Sequence, residues 1–179
     1  MDAGAERLLE ESLERRGRGL DRRERVGIAA QTGGFVAVAA LIPLLFDAER
    51  PFPIWLAALF VAAYAVVGSI EVWGDTGNAV PTQIVFVPML LLLPAPYVPL
   101  LVGVAIVLTA AGQSLRGGAD LGRSAFSAGD AWFSVGPALV LIAFGDGRPG
   151  LEDWWIYALA LGAQLLSWLS VWEVQRVAL

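Results

Sequence analysis

The 179-residue chain contains no cysteine, no histidine and no lysine. Without cysteine there is no disulfide, no thiol nucleophile and no covalent haem attachment. Without histidine the usual zinc spacings and the imidazole general base are also missing. Without lysine no retinal Schiff base can form. The carboxylates of Glu71 and Asp130 are accompanied by no nucleophile, metal cluster or phosphate-binding loop, so an enzyme is not expected. No cofactor, metal ion or nucleic-acid partner is implied.

What the chain has in abundance is apolar residues. Hydrophobic side chains make up 57% of it and its mean hydropathy is +0.65, far above an ordinary soluble domain. The fold class expected is all-α: a polytopic membrane bundle whose main partner is the lipid bilayer. The formal net charge of −5 hides an asymmetry, because all twelve basic residues are arginine and seven of them precede Val26.

Apolar windows predict six transmembrane helices. The first, Val26 to Phe46, follows a capping-box pattern at Asp21 and Glu24 and an anchor of Arg22, Arg23 and Arg25. Ala37-Val38-Ala39 could pass for a signal-peptide cleavage site, but the apolar run continues unbroken to Phe46. The second, Pro53 to about Trp73, carries tryptophan at both ends, as an aromatic belt requires. The third, Val80 to Leu93, has only 14 residues, roughly 21 Å of helix against a hydrocarbon core of roughly 30 Å. The remaining three run from about Val98 to Gln113, from Ser124 to Phe144 and from Trp154 to about Glu173.

Six spans place both termini on one side. Ten arginines then fall on that side, and only Arg50 and Arg148 on the other. The positive-inside rule therefore predicts N-in, C-in, in a cell membrane with both termini cytoplasmic. A re-entrant third segment, giving four or five spans, leaves some loops on the wrong side. Residues 1–21 read as a polar, Arg-rich cytoplasmic arm, and residues 22–179 as the six-helix domain. Ala29, Gly33 and Ala37, Ala58 and Ala62, and Ala158 and Gly162 recur at spacings of four. This pattern suits close helix packing or a homodimer.

The polar residues of the spans gather at one depth. Glu71, Asp75 and Asn78 end the second helix and form the next loop, Thr82 and Gln83 open the third, Gln113 closes the fourth, and Asp130 lies just inside the fifth. Tyr64, Gly68 and Glu71 share one helical face as a candidate pocket wall. Against this, Asp130 could be the N-cap of a helix beginning at Ala131, and Glu71 and Asp75 could be interfacial carboxylates in water. Pro88 and Pro137 predict kinks in the third and fifth helices that free the carbonyls of Ile84 and Phe133, with the N-terminal ends of both helices converging on the polar cluster. Broken helices of this kind hold polar solutes in many transporters and receptors.

Two stretches resemble a known family: Ala79-Val80-Pro81-Thr82-Gln83-Ile84-Val85-Phe86-Val87-Pro88-Met89-Leu90, preceded by Glu71 and Gly74, and Gly129-Asp130-Ala131-Trp132-Phe133-Ser134-Val135-Gly136-Pro137-Ala138-Leu139. Together they look like the N-terminal multi-span membrane region of actinobacterial signalling proteins, similar in kind to MASE-type sensor domains, that precedes cytoplasmic GGDEF or HD-GYP domains. The resemblance covers about residues 22 to 175. It implies a sensory input module that binds an unknown small ligand or senses membrane state and relays it to a cyclic-di-GMP-related output. The ligand-binding candidates are Tyr64, Glu71, Asp75, Asn78, Thr82, Gln83, Gln113, Asp130 and Trp132. The chain reaches Leu179 with no GGDEF or HD-GYP sequence, so that output is expected in a longer chain or a separate protein. The alternative is the substrate-binding membrane component of a vitamin-like transporter, an architectural likeness without a motif.

Overall fold

The computed structural model describes residues 22–48, 50–70, 72–74, 77–79, 81–117, 124–145 and 151–178. The chain runs through α1 (Arg22–Leu45), α2 (Ile54–Gly68), the short strands β1 (Val72–Gly74) and β2 (Gly77–Ala79), and α3 (Gln83–Leu92). A 3₁₀ turn at Ala95–Tyr97 leads into α4 (Val98–Gly117). A ten-residue 3₁₀ segment, Ala125–Ser134, continues into α5 (Val135–Phe144). The 3₁₀ turn Leu151–Asp153 precedes α6 (Trp154–Ala178). The arm before residue 22 and Asp21 of the capping box lie outside the described residues.

Each predicted span corresponds to a helix, with three departures. The second helix stops at Gly68 and not near Trp73, because the chain turns into an antiparallel hairpin that pairs Val72 with Ala79, Trp73 with Asn78 and Gly74 with Gly77. The helix that carries Tyr64 and Gly68 has therefore ended at Gly68. The fifth span begins as 3₁₀ helix and becomes α-helix only at Val135, so Pro137 is the third residue of α5 and does not interrupt a continuous α-helix. Pro88 lies inside α3. The last helix runs on to Ala178, 25 residues in all.

Among the described residues, three helical stretches are long and apolar enough to cross a membrane: Arg25–Leu45, Ala95–Arg116 and Phe126–Phe144. Ile54–Gly68, Gln83–Leu92 and Trp154–Ser167 are apolar but shorter. Successive helices alternate in direction, as the contacts at their ends show. At one end Phe52 packs on Tyr97, Phe144 on Trp155, and Arg50 reaches the Leu91 carbonyl. At the other, Ser114 at the end of α4 meets Ser124, and the N-terminal half of α1 meets the 3₁₀ segment.

The largest side chains of the core come from α1, from α3 and its C-cap, and from α4: Phe35, Phe86, Met89, Leu93, Val98 and Val102 are completely buried. The outside is just as apolar, with Leu44, Ile54, Leu59, Val66, Val104, Leu108 and Leu161 among its exposed residues. Water would penalise such a surface heavily, whereas hydrocarbon does not. Trp55 and Trp154 are exposed at the same end of the bundle, 70% and 69% respectively, where indole rings suit a membrane interface.

Candidate functional site

Runs of 3₁₀ helix longer than three or four residues are uncommon, which makes Ala125–Ser134 the most unusual element of the fold. At three residues per turn, side chains three apart stack in columns. Phe126, Gly129 and Trp132 form the column that meets α1. Ala128, Ala131 and Ser134 form a buried column, with Ala131 and Ser134 at 0% exposure. Ser127, Asp130 and Phe133 form the third.

The sequence of this segment permits the 3₁₀ form locally. Gly129 and the serines are weak α-helix formers. The Ser127 and Ser134 hydroxyls donate to the carbonyls three residues back, of Ser124 and Ala131, each at 2.6 Å. Helix α1 completes the arrangement. The Thr32 hydroxyl donates to the Phe126 carbonyl at 2.7 Å, and the Gln31 side-chain amide donates to the Gly129 carbonyl at 3.2 Å. In the reverse direction the Trp132 indole N–H donates to the Gln31 carbonyl at 3.1 Å. Interhelical hydrogen bonds in membrane bundles average about 0.6 kcal/mol, so these three contribute on the order of 2 kcal/mol together.

Close packing surrounds this polar seam. A β-carbon at Gly129 would stand 3.0 Å from the Thr32 hydroxyl oxygen and 3.3 Å from the Thr32 backbone nitrogen. The Trp132 ring meets Phe35 edge-on at 5.9 Å between centroids, and Phe35 in turn covers Gly103 of α4. On the next column, Phe133 packs edge-on against Phe86 of α3 at 5.2 Å. The 3₁₀ segment thus touches α1, α3, α4 and α6.

The structure brings some of the sequence candidates together and separates others. Tyr64 is 2% exposed and its hydroxyl lies beside the Thr82 side chain, bringing α2 against the start of α3 at the base of the hairpin. Gly68, on the same face, packs against Thr109 of α4. Gln83, Gln113 and Asp130 are exposed on the outside of the bundle. Asp130 caps no helix at Ala131, because α5 begins four residues later and its N-cap position is Ser134. Trp132 is a seam residue. Glu71 and Asp75 lie outside the described residues, and Asn78 is placed only by its strand pairing with Trp73.

At the opposite end, Asp47, Arg50, Leu90, Leu91, Pro96, Ile142 and Gly145 line a cavity of about 60 Å³. It is far smaller than the several hundred Å³ of typical small-molecule sites and suits a few waters. Arg50 there places a guanidinium nitrogen 3.4 Å from the Leu91 carbonyl, where it complements the negative C-terminal end of α3. Among the described residues, no buried side-chain nitrogen or oxygen lacks a hydrogen-bond partner.

The sequence reading overlooked Gln31 and Thr32. Their signal was available, since two adjacent polar residues stand inside an otherwise apolar first span. No family model, no curated protein and no solved structure matches this chain.

Proposed function

We propose that this chain is a multi-pass membrane sensory module whose six helices all cross the bilayer, with both termini cytoplasmic. In this reading the shorter helices complete their crossings with flanking residues, and Pro88 allows α3 to bend. The arginine asymmetry supports the orientation, and the exposed Trp55 and Trp154 mark the outer interface. Asp130 then sits four residues inside the apolar stretch that starts at Phe126, about 8 Å deep at 3₁₀ rise and within reach of headgroups.

The observation that carries the sensory reading is a continuous mechanical link. Helix α1 holds the 3₁₀ segment through the Gln31–Thr32 seam, and that segment continues into α5. Gly136 of α5 lies directly on the backbone of α6 at Ala163. At 25 residues α6 is about 37 Å of helix, long enough to cross and project beyond hydrocarbon. A stimulus that shifts α1 against the 3₁₀ segment would therefore move the helix that leads toward a cytoplasmic output. The resemblance to membrane regions of cyclic-di-GMP signalling proteins names the output class: a GGDEF or HD-GYP domain, in a longer chain or a separate partner.

The test is a fusion of residues 1–179 ahead of a diguanylate cyclase catalytic domain, with cyclic di-GMP read in cells. Variants of Gln31 and Thr32 are expected to change its output severalfold at equal membrane abundance. Equal output from all variants would refute the sensory reading.

A further inference from the structure

We propose that residues 125–134 form a two-state segment. Gln31 and Thr32 hold its 3₁₀ form, and release of that hold lets it shorten into α-helix and turn Asp130 from the outside of the bundle onto the buried face. This inference does not rest on the sensory reading, since a transporter component could use the same device.

Nothing in the sequence 125–134 bars an α-helix: it contains no proline and three alanines. What maintains the 3₁₀ form is a set of side chains placed on particular carbonyls. Thr32 takes that of Phe126 and Gln31 that of Gly129, while Ser127 and Ser134 take those of Ser124 and Ala131. In an α-helix these four carbonyls would accept the N–H groups four residues on, those of Asp130, Phe133, Ala128 and Val135. Two of the four holds come from α1 and can be withdrawn by moving that helix.

The consequences follow from helix geometry. The rise per residue falls from about 2.0 to about 1.5 Å, so ten residues shorten by about 5 Å. The turn per residue falls from about 120° to about 100°. Asp130 and Ser134, four apart, stand about 120° apart in the 3₁₀ form but within about 40° in an α-helix. Ser134 is completely buried and Asp130 exposed, so the conversion carries the carboxylate toward the core. Because Gly136 seats α5 on α6, those two helices move as one body relative to the residues nearer Ser124.

The absence of cysteine allows a direct test on the full chain in lipid nanodiscs. Spin labels at Phe126→Cys and Phe144→Cys, both exposed positions, report the length of the segment by pulsed electron resonance. The Q31L/T32V pair is expected to shorten that distance by about 4 Å, and T32S, which keeps the hydroxyl, to leave it unchanged. G129A acts from the other side of the seam, by crowding Thr32 and favouring α-helix, and is expected to shorten it equally. It carries the test if Q31L/T32V fails to insert. A distance unchanged in whichever of these two variants inserts overturns the proposal. In a second measurement, the thiol of Asp130→Cys is expected to lose at least tenfold in alkylation rate when combined with G129A. An unchanged rate overturns the rotation of Asp130.

Discussion

Gly136 of α5 lies so close to α6 that a β-carbon built on it would stand 2.7 Å from the Ala163 carbonyl oxygen and 2.6 Å from the Ser167 hydroxyl. The first of these is backbone and cannot swing aside, so the two helices are registered at this point. Gly136→Ala is expected to destabilise the bundle by about 1–3 kcal/mol, the usual cost of overpacking. Gly33→Ala and Gly162→Ala, where nothing stands within 4 Å, should stay within about 0.5 kcal/mol of the parent. Reversible unfolding in mixed detergent micelles measures all three.

Gly68 and Thr109 make a second such contact. A β-carbon at Gly68 would meet the Thr109 hydroxyl oxygen at 2.9 Å, and that hydroxyl already donates to the Ala105 carbonyl at 2.9 Å and lies 3.4 Å from that of Ala65. Gly68→Ala should cost about 1–2 kcal/mol. In Gly68→Ala/Thr109→Ala the clash is gone, so the pair should be less destabilised than the sum of its singles, a coupling that a double-mutant cycle in the same micelles detects.

Trp132 separates hydrogen bonding from packing. Trp132→Phe removes the N–H that reaches the Gln31 carbonyl but keeps a ring beside Phe35, and should cost about 1 kcal/mol. Trp132→Ala also empties the space against Phe35 and Gly34 and should cost about 3–5 kcal/mol. Equal losses for the two variants, read from thermal melts in detergent, would show that the seam owes nothing to ring packing.

The topology makes a prediction independent of any ligand. Reporter fusions placed after Arg50 and after Arg148 should both report the outside, and a fusion after Arg116 the cytoplasm. A cytoplasmic signal from either of the first two refutes the six-crossing arrangement.

Much of the candidate site was illegible for identifiable reasons. Tyr64 and Thr82 stand out in the sequence as polar residues in apolar context, and the structure brings them side by side. Asp130 stands out on the same ground, but its position depends on helix type: in an α-helix it would share the buried face of Ser134, and in the 3₁₀ segment it does not. Hydropathy alone extends the face of Tyr64 to Glu71, because the apolar pattern of α2 shows no break. The chain leaves the helix at Gly68 because Val72–Gly74 finds a partner strand, a pairing that hydropathy does not register.

The sequence by itself determined that the chain is helical and has stretches apolar enough for a membrane, because apolar run length and the crowding of arginine before Val26 are local properties. Only the tertiary structure decided the form of residues 125–134. Their backbone carbonyls are bonded by Gln31 and Thr32, 98 and 94 positions away in the chain. A stretch whose local preferences permit both helix types takes the one for which a neighbouring helix supplies donors, and no window of sequence contains that neighbour.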